Sequence, residues 1–130
     1  MCLRCLGVTL IPSLDDSSDK ITFLECPSCH RWYAKRPGKA LTYRWLHPVT
    51  IALYWVIFDD EPVLRADSLA EDVARGGPCD EVLEMIREIE LELDQPTQLV
   101  REALENHATE EKCREYLRAF VSHLRLRLGL

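Results

Sequence analysis

The chain has 130 residues, a net charge of −6, 47% hydrophobic residues and 29% charged residues. These values lie in the range of ordinary globular domains and argue against a largely disordered, fibrous or membrane-embedded chain. The longest apolar run, residues 49–58, is about half of what a bilayer span requires. The apolar stretch after Arg4 is broken by Pro12, runs into Asp15 and Asp16, and offers no small-residue cleavage site. A cytoplasmic protein without a membrane partner is therefore expected.

The chain opens on the first of two Cys-x-x-Cys pairs, Cys2 and Cys5, with twenty residues between Cys5 and the second pair, Cys26 and Cys29. Two residues between thiols let one tight turn aim both sulfurs at a single point. Two such turns side by side supply the four tetrahedral thiolates of a closed, structural metal site. Zinc is the expected cofactor, one per chain, with iron the less favoured occupant because tetrahedral sulfur suits both metals. A disulfide framework would need an oxidising compartment, and a thioredoxin-like redox pair would need a single motif between a strand and a helix. Between the pairs, residues 8–11 and 21–24 are β-prone runs flanking the polar stretch 15–19, and they read as a hairpin.

On Cys2, Cys5, Cys26, Pro27 and Cys29, with Gly7 just beyond the first pair, residues 1 to about 45 resemble the zinc-ribbon family and its rubredoxin-like knuckles. The resemblance implies a small β-rich metal module and says almost nothing about function. The chain departs from the pattern at His30, where such knuckles commonly have glycine, although histidine tolerates a positive φ. As a zinc ligand His30 would be redundant beside four thiolates.

Further along, residues 31–35 and 41–45 read as two short strands around the turn Arg36-Pro37-Gly38-Lys39, with Leu41, Tyr43 and Trp45 sharing one face. Residues 49–58 fit either a strand, from their β-branched content, or a buried helix opened by Pro48. Beyond them the chain reads helical. Asp67 caps a short helix that stops at Gly76 and Gly77. Pro78 opens a longer one to about Asp94, with Val82, Met85, Ile86, Ile89 and Leu93 inward. Pro96 begins another, with Leu99, Val100, Ala103 and Leu104 inward, ending near His107. Thr109 caps the last, whose stripe is Cys113, Tyr116, Leu117, Phe120, Val121, Leu124 and Leu128. The expected fold class is α+β, a metal module over 1–45 packed on or tethered to a mainly helical, acidic module of three to four helices over 46–130.

Charge follows the same division, about +3 for residues 1–45 and −9 for 46–130. No nucleophile, acid-base pair or open metal position is evident, and His47, His107 and His123 are isolated, so a non-enzymatic role is expected. Cys79 sits at a helix start where a dipole favours the thiolate, but Asp80 and Glu81 oppose it, and an inert residue is the simpler reading. The favoured function is a protein-protein interaction or regulatory module. Its partner would carry a basic surface and meet the acidic face of Glu81, Glu84, Glu88, Glu90, Glu92 and Asp94. The tail leucine Leu126 is a further candidate contact, and the same leucines make a homodimer the main competitor. The alternative is nucleic-acid binding through Arg31, Trp32, Lys35, Arg36, Lys39 and Arg44, where cations alternate with aromatics and no acid intervenes between Cys26 and Phe58.

Overall fold

A computed structural model describes residues 1–13 and 20–130. Strands β1 (Ile11–Ser13), β2 (Thr22–Glu25), β3 (Trp32–Lys35) and β4 (Thr42–Tyr43) form one antiparallel sheet in sequence order. Helices α1 (Pro48–Tyr54), α2 (Ala66–Ala74), α3 (Asp80–Asp94) and α4 (Glu110–Leu128) follow and pack together, which is the expected α+β class. Among the described residues no helix is long and apolar enough to cross a membrane.

The sheet begins later than its β-prone residues suggest. Val8 is taken by the first knuckle, where Cys2 N–H donates to Val8 C=O at 2.9 Å and Val8 N–H to Cys5 C=O at 3.1 Å. The ladder therefore starts at Ile11, opposite Glu25. The polar stretch 15–19 lies outside the described residues. Between β3 and β4 the chain turns through Pro37 and Gly38, with φ +73° at the glycine and Lys39 N–H bonded to Arg36 C=O, the backbone a Pro-Gly turn favours. Tyr33 and Tyr43 pair across β3 and β4 and are both buried. Trp45 does not join them. His47 N–H bonds back to Arg44 C=O, so the chain leaves the strand before Trp45, which is exposed instead of lining the core.

Residues 49–58 form a helix and a closing turn, and hydrogen bonds at both ends explain the choice. Pro48 occupies the first turn, and His47 caps it by accepting from Val49 N–H at its Nδ1, 3.2 Å away. At the other end, carbonyls of the last turn take donors from distant parts of the chain, in addition to the Val56 N–H that reaches Leu53 C=O at 3.2 Å. Tyr116 Oη donates to Ala52 C=O at 2.9 Å, and Asn106 Nδ2 to Leu53 C=O at 3.0 Å.

His47 is buried and stacked on Tyr43, with ring centroids 3.6 Å apart. Burial, together with the charges of Arg31 and Arg4, pulls its pKa down to about 3. Below about pH 6.5 the unfolded chain takes up a proton that the folded chain refuses. Stability should therefore fall as the pH drops through that window towards 3, by up to about 1.4 kcal/mol per unit. Asparagine also caps helices well, so His47→Asn should flatten this slope in urea melts between mildly acidic and neutral pH. An unchanged slope would assign the acid sensitivity to other groups.

Asp67 does not cap α2. The helix runs on from a single 3-10 turn, Pro62–Arg65, whose carbonyls already serve its first amides, as in Ala66 N–H to Val63 C=O. Asp67 pairs instead with Arg127 of α4 at 2.7 Å. The chain then closes at Gly77, φ +74°, whose N–H bonds to Ala74 C=O. Helix α3 starts at Asp80, two residues after Pro78, and buries Ile86 and Ile89.

The helix expected from Pro96 shrinks to one 3-10 turn, Val100–Ala103, and Leu99 faces solvent. The amides that would extend it are diverted, since Val100 and Arg101 N–H donate to the Glu110 carboxylate at 3.1 and 2.9 Å. Helix α4 follows its sequence pattern closely. Thr109 accepts from Lys112 N–H, Gly129 ends it in the left-handed region, and Cys113, Tyr116, Leu117, Phe120, Val121 and Leu124 are buried. Each such large side chain contributes about 1.5–3 kcal/mol by leaving water. One core runs from Cys2 and Tyr33 through Val49 and Ile89 to Leu124, so residues on both sides of position 45 share it.

Candidate metal centre

Each cysteine pair sits on a turn built by its own backbone. In the first, Cys2 Sγ accepts from Arg4 N–H at 3.4 Å and Cys5 N–H at 3.3 Å, and Gly7 reverses the chain at φ +83°. In the second, Cys26 Sγ accepts from Cys29 N–H at 3.4 Å, His30 N–H bonds to Cys26 C=O, and His30 takes φ +61° where a glycine would be easiest. The histidine side chain is directed to Glu25, with Nδ1 3.5 Å from the carboxylate, while the cluster is made of the four cysteines alone.

The sulfurs of Cys2, Cys5, Cys26 and Cys29 all lie within 4.8 Å of one another. The distance between Cys2 Sγ and Cys29 Sγ is 3.8 Å. A tetrahedron with metal-sulfur bonds of about 2.3 Å has edges of about 3.8 Å, which is the separation of this pair, so the donor set suits a four-coordinate ion. The protonation pattern points the same way. Burial raises the Cys2 thiol, but hydrogen bonds from Tyr33 and from the Cys5 and Arg4 backbone bring it down to about 6. Cys5 is pushed up to about 11 by its hydrogen bond with Cys29 and by burial. Sulfurs this close cannot all ionise by themselves, and a divalent cation removes that conflict.

Around the sulfurs stand three side chains, two of which tie the cluster to α3. Tyr33 Oη lies 3.5 Å from Cys2 Sγ, and burial keeps its phenol protonated and able to donate. Arg31, two residues past Cys29, grips Glu88 of α3 with Nε and Nη2 at 3.0 and 3.1 Å. Arg4, inside the first knuckle, reaches Glu92 at 3.0 Å and Gln95 C=O at 2.6 Å. Glu88 and Glu92 are one helical turn apart, so both knuckles hold the same face of α3.

Glu92 is the main departure from the expected acidic exterior, because it is fully buried. Its Oε1 accepts from Arg4, from Tyr43 Oη at 3.0 Å and from Thr97 Oγ1 at 2.6 Å. Its Oε2 accepts from Thr97 N–H at 2.9 Å and Arg114 Nη2 at 3.1 Å. The sequence does carry a signal for this. Position 92 follows Ile86 and Ile89 at three-residue steps, so it lies on the stripe that should be apolar, and a carboxylate there must find partners inside.

The other candidate residues divide into engaged and open groups. Glu88 is bound to Arg31, and Glu90 to Arg125, whose Nε is 3.1 Å away, whereas Glu81 and Glu84 remain exposed. Leu126 is exposed between Arg125 and Arg127, which are held by Glu90 and Asp67. Among the cations, Lys35 Nζ donates to the Arg36 and Lys39 carbonyls, and Arg44 stacks over Phe23 and Trp32 at 4.4 and 5.2 Å. Arg36 and Lys39 line a depression of about 290 Å³ with Arg101, Glu102 and Glu105. Cys79 is exposed at the start of α3, and Cys113 is buried with its thiol pushed up to about 11 by desolvation. Comparison of the chain with protein-family models, with curated proteins and with solved structures finds no match.

Proposed function

We propose that the chain is a non-catalytic module in which one Zn²⁺, bound by Cys2, Cys5, Cys26 and Cys29, locks a zinc-ribbon-like sheet onto α3 so that the helices present a fixed surface to a protein partner. The observation that carries this reading is the closed four-sulfur cage with the edge of a metal tetrahedron, joined to α3 through Arg31–Glu88 and Arg4–Glu92. Four thiolates leave no open coordination position, which is the mark of a structural ion. Thiolate ligands also suit a reducing compartment.

A protein partner is preferred to nucleic acid because the basic segment is largely engaged within the chain. Arg31 holds Glu88, Lys35 caps its own turn, and Arg44 lies between two rings, so few cations remain to neutralise phosphates. Elemental analysis of purified protein should give one zinc per chain. The preparation should be colourless and free of the absorption of nucleic acid. Iron with visible thiolate charge-transfer bands, or a folded metal-free chain under reducing conditions, would overturn the zinc assignment. Co-purifying nucleic acid displaced by salt would favour the alternative.

A further inference from the structure

Apart from the buried Thr50, helix α1 and its closing turn are built of apolar and aromatic residues, and such a helix is normally covered on every side. The fold covers only one. Val49, Ala52, Leu53 and Val56 are buried, while Tyr54 is 63% and Phe58 86% exposed. Beside them Trp45, Leu46, Ile51, Tyr54 and Leu104 enclose a groove of about 490 Å³ whose lining contains no charged side chain. A small-molecule site of this size carries a few converging polar groups to orient its ligand. Here the Tyr54 hydroxyl and the Trp45 indole N–H are the side-chain polar groups of a lining that is otherwise aliphatic, so a macromolecular apolar surface is the better occupant.

We infer that this face is covered by the same face of a second copy of the chain, related by a two-fold axis, with Phe58 of each copy entering the groove of the other. A two-fold contact demands that one patch carry both halves of every interaction. This patch does, because the most exposed aromatic lies four residues beyond Tyr54, a wall of the groove. Its area is also adequate. Trp45, Tyr54 and Phe58 together expose roughly 400 Å², and Leu46, Ile51 and Leu104 extend the face towards the roughly 800 Å² per partner of a standard interface. The neighbouring depression supplies a rim of both signs, Arg36 and Lys39 from the β3–β4 turn and Glu102 and Glu105 from the loop that carries Leu104. Among the described residues none of these four makes an ion pair, so each copy offers cations to the other's carboxylates. The tail is not needed, because Leu126 is flanked by two arginines already paired within the chain.

The surface contains no residue of the metal centre, so its test is independent of the zinc assignment. Sedimentation velocity on the full, metal-loaded chain across the micromolar range should give the mass of two chains. Tyr54→Glu and Phe58→Glu should each raise the dissociation constant at least tenfold while metal content and far-UV circular dichroism stay unchanged. Leu126→Glu should leave the dimer intact. If a glutamate variant fails to fold, the milder Phe58→Ser removes only an exposed side chain and should still weaken association. A chain that stays monomeric throughout, a dimer indifferent to Tyr54 and Phe58, or one dissociated by Leu126→Glu would overturn the inference. Saturable capture of a different protein by a monomeric chain would do so as well.

Discussion

Cys26→Ser is expected to release the metal and to expose both the sheet and α3 to solvent exchange. Structural zinc contributes about 10–16 kcal/mol of apparent binding free energy in small zinc domains. That is comparable to the roughly 5–15 kcal/mol of stability typical of a whole domain. Cys26 is fully buried and contributes to the same core as Tyr33 and Ile89, so the damage should not stop at the ligand. Without the cage, the Arg4 and Arg31 clamps lose the knuckles that aim them, and α3 is held by its apolar contacts alone. Hydrogen exchange should therefore accelerate across β1–β4 and α3 more than in α4, and the melting midpoint should fall by more than about 10 °C. Cys79→Ser, at an exposed position outside the cage, is the control and should change neither metal content nor exchange. Retention of one zinc and unchanged protection after Cys26→Ser would refute the four-cysteine assignment.

Glu92→Ala should be nearly as damaging without touching a sulfur. The carboxylate accepts five hydrogen bonds and neutralises Arg4 and Arg114, whose side chains are only 8% and 13% exposed. Removing the shared carboxylate leaves Arg4 dehydrated without a counter-ion, while Arg114 keeps Glu110 at 2.8 Å, and breaking a buried charged network in this way costs about 3–5 kcal/mol. Glu92→Gln keeps one acceptor oxygen and the shape, so it should lie between the wild type and the alanine variant. Urea denaturation measures both. A loss below about 1 kcal/mol for Glu92→Ala would mean that Arg4 and Arg114 find water instead, and that the first knuckle is not anchored through this residue.

Features set by local chemistry were legible before the fold. Two cysteine pairs with two-residue spacing specify turns that converge their sulfurs. The turn through Pro37 and Gly38 has the backbone its residues favour. The apolar periodicity and Thr109 cap of α4 appear in the structure as read, because a helix's face depends on spacing alone. Tertiary structure decided what depended on partners distant in the chain. Residues 49–58 suited strand or helix equally until Tyr116 and Asn106 supplied donors to the carbonyls of α1. The segment after Pro96 lost its helix because Glu110 captured the amides. Trp45 left the core because the chain turned at Arg44 to start α1. Glu92 looked like one more surface acid until Arg4, eighty-eight residues earlier, came within 3.0 Å. Periodicity reports which way a side chain points relative to its own neighbours. Whether a carboxylate there is solvated or enclosed by guanidinium groups depends on how the chain closes over it, and that is a property of the assembled core.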